Sequence, residues 1–141
     1  MIHVLLDANV PLNMWLDAKG VRPVASESTL VMDAAAKGRI TAYLNPTIFN
    51  NVFYFLSKEI GRSKAITLAA DLLDQTSMVS QDEAVFRSAF TSGWTDIEDA
   101  TQYFAAKAHP RITHLCTSNR RHYKAAIGIK LVSPAALLKR F

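Results

Sequence analysis

The chain has 141 residues, half of them hydrophobic, and sixteen basic against twelve acidic side chains give it a formal charge of +4. That suffices for one domain with a core of its own, expected to span 1-141, but not for two comfortable ones, and no apolar run is long enough to cross a membrane. The lone Cys116 excludes an internal disulfide, no His/Cys cluster offers a zinc site, and Met1 to Leu6 lacks the pattern of a signal peptide, so a reducing, cytoplasmic setting is expected.

In chain order, Ile2-His3-Val4-Leu5-Leu6 is nearly continuous apolar sequence, which predicts a central parallel strand buried on both faces and makes His3 a strand residue rather than a ligand. Asp7 falls just past its carboxyl end, Asn9 two residues later, and Leu12, Trp15 and Leu16 give a short helical face ending near Gly20. Val24 to Lys37 reads as a helix with Leu30, Val31, Ala34 and Ala35 inward, stopped at Gly38. Thr41 to Leu44 reads as a second strand. Asn45-Pro46-Thr47 then breaks the chain and supplies an N-cap for a helix running to about Ile60, with Ile48, Phe49, Val52, Phe53, Leu56 and Ile60 on its apolar face.

After Gly61, a helix from Arg62 to Thr76 is expected to turn Ile66, Ala69, Ala70 and Leu73 inward. Ser77 to Val79 reads as a brief strand. Ser80 and Glu83 have capping-box spacing ahead of Ala84, Val85, Phe86, Ala89 and Phe90, and Gly93 closes that segment. Ala100, Phe104, Ala105 and Ala108 mark a helix broken at His109-Pro110, Ile112 to Cys116 a strand, Lys130 to Val132 a last strand, and Pro134 to Leu138 a terminal helix. Strands alternating with helices predict a three-layer α/β/α sandwich with a central, mainly parallel sheet, whose ligands gather at the strands' carboxyl ends.

Two stretches carry chemistry. Thr95-Asp96-Ile97-Glu98-Asp99-Ala100 sets three carboxylates on four positions at a helix start. Asp96 and Asp99 share one face, while Glu98 is turned roughly 100° from Asp99 and is expected to point aside. Converging carboxylates need water or a divalent cation. The competing explanation is helix capping, with Thr95 and Glu98 as a capping box and the acids answering the helix dipole. The second stretch, Thr117-Ser118-Asn119-Arg120-Arg121-His122-Tyr123-Lys124, follows a strand and is polar and basic. Arg120, Arg121 and Lys124 could neutralise phosphates and Tyr123 could stack on a base, or the run is simply a solvated turn. Trp15, Phe53 and Phe55 are expected in the core.

Taken together, Val4-Leu5-Leu6-Asp7-Ala8-Asn9-Val10, Asp96-Ile97-Glu98-Asp99-Ala100 and Thr117-Ser118-Asn119-Arg120 resemble, in this order, the PIN domain, a family of small α/β nucleases. The resemblance implies metal-dependent hydrolysis of RNA phosphodiesters with Mg²⁺ or Mn²⁺. It makes Asp7 and Asp99 the leading acids, with Asp96 an added acid nearby. Asn119 and Thr117 would face the metal, Asn51 and Glu98 would complete the ligand set, and Asn9, Thr117, Arg120, Arg121 and Lys124 would contact substrate. It also implies an antitoxin protein as partner, as in toxin–antitoxin pairs, and admits a homodimer. Two positions depart from the family pattern: Asn51 stands where a glutamate is usual and Asn119 replaces an aspartate, which lowers the charge offered to an ion. A PIN-like module that binds RNA or protein without cutting is therefore the main rival. A phosphatase using Asp7 as nucleophile ranks third, because Asn9 occupies the place of that motif's second aspartate.

Overall fold

The computed structural model describes residues 1–20, 26–123 and 127–141, the side chain of His122 excepted. Five strands form one parallel sheet: β1 (His3–Leu6), β2 (Thr41–Leu44), β3 (Ser77–Met78), β4 (His114–Cys116) and β5 (Lys130–Val132), in the order β3-β2-β1-β4-β5. Val4, Leu5 and Leu6 have no exposed surface, as the unbroken apolar run requires of a strand flanked by neighbours on both edges and covered on both faces. The register sets Leu5 against Tyr43 on one side and Leu6 against Cys116 on the other.

The described helices are α1 (Asn9–Ala18), α2 (Glu27–Ala36), α3 (Pro46–Ile60), α4 (Arg62–Gln75), α5 (Glu83–Thr91), α6 (Ile97–Ala108) and α7 (Pro134–Leu138), with a 3-10 turn at Arg120–Tyr123. The predicted α/β/α sandwich is therefore present, its sheet wholly parallel. The crossovers from β1 to β2 and β2 to β3 run one way along the sheet, and the connection from β3 to β4 returns past β1. Right-handed crossovers then place their helices on opposite faces.

Three helical faces differ from the sequence expectation. In α4, Ala65, Ala69 and Leu72 are buried while Ile66, Ala70 and Leu73 are exposed. Both stripes are apolar, and close packing of α4 on α3 selects the one that begins with the smaller side chain. Leu30 lies outward on α2 and Met32 takes an inward place. On α5, Val85 and Ala89 face in, whereas Phe86 and Phe90 pack on each other at the surface. Residues Val24 and Ala25 of the expected second helix lie outside the described residues, and α2 is capped by Ser26, whose hydroxyl accepts the Thr29 N–H.

The helix starts also correct two predicted capping boxes. The N-cap of α5 is Asp82 rather than Ser80, its Oδ1 accepting from Val85 N–H at 3.1 Å. The N-cap of α6 is Asp96 rather than Thr95, its Oδ1 accepting from Asp99 N–H at 3.0 Å. A carboxylate one or two residues closer to the helix outcompetes a hydroxyl because it answers both the unpaired N–H groups and the helix dipole. Asn45 caps α3 as expected, accepting from Ile48 N–H at 2.7 Å with Pro46 in the first turn.

Candidate active site

The site lies at the carboxyl edge of the sheet between β1 and β4, where the strand order reverses and the loops above neighbouring strands part to open a crevice. The ladder runs one residue past the strands: Asp7 N–H donates to the Cys116 carbonyl at 2.9 Å. Asp7 Oδ1 accepts from the Ala8 N–H at 2.8 Å, and Oδ2 accepts from the Thr117 hydroxyl at 2.8 Å. The buried Thr117 Oγ1 in turn accepts from Asn119 N–H at 3.0 Å, so one hydroxyl ties the loop after β4 to the carboxylate after β1. Asn9 is a weaker brace. Its Nδ2 lies 3.4 Å from Asp7 Oδ2, and its Oδ1 lies 3.5 Å from the Ser118 N–H.

α6 brings the other acids. Because Asp96 caps the helix, its exposed carboxylate stays beside the first turn, and Asp99 follows in that turn, buried. Asp99 Oδ1 lies 3.2 Å from the hydroxyl of Tyr123. Burial pushes the Tyr123 phenol far above its ordinary range, and the charges of Asp7 and Asp99, the hydrogen bond with Asp99 and the charge of Asp96 push it further. Of these carboxylates only that of Asp99 touches the hydroxyl, and Asp7 and Asp96 act on it through their charge. Burial first, and then the charge of Asp7, also push the Cys116 thiol up to about 12, so this cysteine is inert as a nucleophile at neutral pH.

Glu98 does turn aside from Asp99, and it meets α3: Asn51 Nδ2 donates to Glu98 Oε1 at 2.8 Å, with both side chains exposed. Asn119, Arg120 and Arg121 are exposed and, with Ser118, line an open depression next to the crevice. Lys124 lies outside the described residues. Tyr123, which the sequence leaves open either to stack on a base or to lie in a solvated turn, does neither: it is fully buried and cannot meet a base. The 3-10 turn rotates it inward while Arg120 and Arg121 stay out. Gln102 escaped the sequence reading; it lies three residues after Asp99, 1% exposed, with Oε1 2.5 Å from the Tyr123 hydroxyl. A glutamine among the packed residues Ala100, Tyr103, Ala105 and Ala106 of one helix was the available signal.

Among the described residues, no three His, Cys, Asp or Glu side chains group closely enough to hold a metal ion between them. The donors at the crevice are carboxylate, amide and hydroxyl oxygens. That chemistry suits a hard cation such as Mg²⁺, which keeps several waters and needs only one or two carboxylates.

Fold and site together define a parallel α/β protein with an acidic crevice at the sheet's switch point. The PIN domain family matches residues 3–121, and the chain belongs to that family; PIN domains are in general nucleases. Among solved structures, VapBC2 from Rickettsia felis, bound to a DNA fragment from their promoter, shares the fold. The match covers 94% of this chain and 98% of that one, with a TM-score of 0.68 and 13% identity. No curated protein matches this chain in sequence.

Proposed function

We propose that the protein is a divalent-cation-dependent endoribonuclease of the cytoplasm and the toxin of a toxin–antitoxin pair. The carrying observation is the switch point of the sheet, where Thr117 holds the Asp7 carboxylate at 2.8 Å and the Tyr123 hydroxyl meets Asp99 at 3.2 Å, with a basic depression alongside. Membership of the PIN family and the shared fold with VapBC2 support the nuclease and antitoxin parts of the reading.

In this reading Asp7 and Asp99 hold Mg²⁺ or Mn²⁺, with Asp96, Glu98, Asn51 and Asn119 at the rim. The ion, when bound, activates water and stabilises charge on the scissile phosphate. Thr117 keeps Asp7 aimed through its 2.8 Å hydrogen bond. Arg120 and Arg121 neutralise phosphates that flank the scissile one.

A PIN-like binding module remains the second reading, favoured by the neutral Asn51 and Asn119 and by the lack of a three-carboxylate group among the described residues. Titrating Mn²⁺ into purified protein with a mixed RNA substrate separates the two. The nuclease reading expects metal-dependent cleavage that Asp7→Asn lowers by more than about 100-fold, beyond the loss seen when a ligand's hydrogen-bond partner is removed. Cleavage that is absent, or equal in both proteins, replaces it with the binding module.

A further inference from the structure

We propose that Tyr123, backed by Gln102, is a positioning residue that sets the orientation of the Asp99 carboxylate; this rests on reading Asp99 as a metal ligand. The Tyr123 hydroxyl carries one proton and has two oxygens in reach, Gln102 Oε1 at 2.5 Å and Asp99 Oδ1 at 3.2 Å. It can donate to only one of them. If the proton goes to Gln102, the phenol oxygen turns its lone pairs toward a carboxylate that must be ionised to ligate a metal. Turning the Gln102 amide end for end resolves the conflict, since its two ends have the same shape and opposite polarity. Gln102 Nε2–H then donates to the phenol oxygen, and the phenol proton is directed at Asp99. Each proton in the chain Gln102 to Tyr123 to Asp99 has an acceptor, and the last bond is charge-assisted.

The donor is delivered from rigid surroundings. Tyr123 has no exposed surface, and its ring meets Trp94 edge to face with centroids 6.0 Å apart. Trp94 is stacked on Tyr103 at 5.0 Å, and the Tyr103 hydroxyl both donates to the Ile127 carbonyl at 2.6 Å and accepts from the Ile127 N–H at 3.0 Å. Gln102 stands nearly one turn beyond Asp99 on α6, so the two ends of the relay share a helix and the phenol bridges them. A ring at position 123 would fill the core equally well as phenylalanine. The hydroxyl is buried at a desolvation cost that packing does not require, and its donor fixes the plane of a carboxylate whose direction matters for ligation.

A double-mutant cycle of Tyr123→Phe and Asp99→Ala tests the relay, with Mn²⁺ affinity measured by the paramagnetic resonance of the free ion and unfolding midpoints measured without metal. Tyr123→Phe keeps the ring and removes only the oxygen. It is expected to weaken Mn²⁺ binding about 10-fold in the native background, as loss of a ligand's hydrogen-bond partner does. It is expected to change nothing further once Asp99 is alanine, because its effect passes through that carboxylate. Native affinity in Tyr123→Phe, or an undiminished penalty in the Asp99→Ala background, overturns the relay and leaves Tyr123 a packing residue. If the native protein binds no Mn²⁺, the metal-site reading falls by itself, and the cycle is read from the metal-free unfolding midpoints. There, additivity of the two substitutions overturns the relay and non-additivity upholds it.

Discussion

Asn51, which the sequence resemblance sets where a glutamate is usual, spends its amide on a carboxylate from another helix, Glu98 Oε1 at 2.8 Å. A neutral donor on α3 thereby holds an acid on α6 at the rim of the crevice. Asn51→Glu exchanges that donor for a second negative charge within hydrogen-bond range of the first. Both positions are exposed, so water and salt screen the repulsion, and the metal-free unfolding midpoint should fall by only a few degrees. Added Mn²⁺ should raise the midpoint of the variant by more than that of the native protein, since a cation relieves two facing carboxylates. An equal rise in the two proteins would place position 51 beyond the reach of the ion. At this scale the sequence was informative wherever a residue's place follows from its neighbours in the chain. Asp7 was readable because an apolar run ends at it, and Asn51 because the stripe Ile48, Val52, Leu56 leaves it outside. Tyr123 was not readable, because the basic residues around it in sequence marked the run as solvated and nothing local reveals that a 3-10 turn buries the tyrosine.

Among the elements, α6 carries two duties at one residue. Asp96 closes the helix start through its bond to the Asp99 N–H, and it contributes charge beside the crevice. The duties separate by substitution. Asp96→Ser keeps a capping oxygen and removes the charge, whereas Asp96→Ala removes both and should cost about 1 kcal/mol of stability. If the charge serves the site, both variants lose metal affinity, while only the alanine variant loses stability in thermal unfolding without metal. Full metal affinity in Asp96→Ser would make Asp96 a cap alone. The junction between α3 and α4 shows the other kind of sequence signal. Gly61 has φ +85° and ψ 160°, a region open essentially to glycine, so the helix stop read from sequence is a backbone requirement. Strands and helix stops were legible because apolar runs and glycines act locally. The buried stripe of α4 was not, since two apolar stripes about one residue apart differ only in how they pack on α3.

Across the whole molecule, the carboxyl edge of the sheet divides structural from chemical work. Asn45 follows β2 and Ser133 follows β5, and each spends its side chain capping the next helix, at Ile48 N–H and Ala136 N–H respectively. Asp7 and Thr117 follow the two strands at the switch point and instead bond each other. α1 begins without any side-chain cap from Ala8. The centre of the edge is thus where side chains are withheld from helix starts and turned into the crevice, a division that no single segment of sequence could reveal because it depends on strand order. The acids gather there, while the chain as a whole carries a formal charge of +4. On the proposed function a polyanion would be drawn to the basic depression beside the crevice rather than to the acids themselves, and Arg120 and Arg121 are the exposed cations that line it. If they meet phosphates, each contact releases counterions, and the logarithm of affinity falls against the logarithm of salt concentration with a slope of about 0.7 per phosphate on single strands. Replacing both with alanine in the cleavage-impaired Asp7→Asn background should therefore flatten the slope by about 1.4, by the same amount for several unrelated RNAs. A slope unchanged by the double substitution would make the two arginines ordinary solvated surface, and a loss confined to one RNA would mean that they read bases.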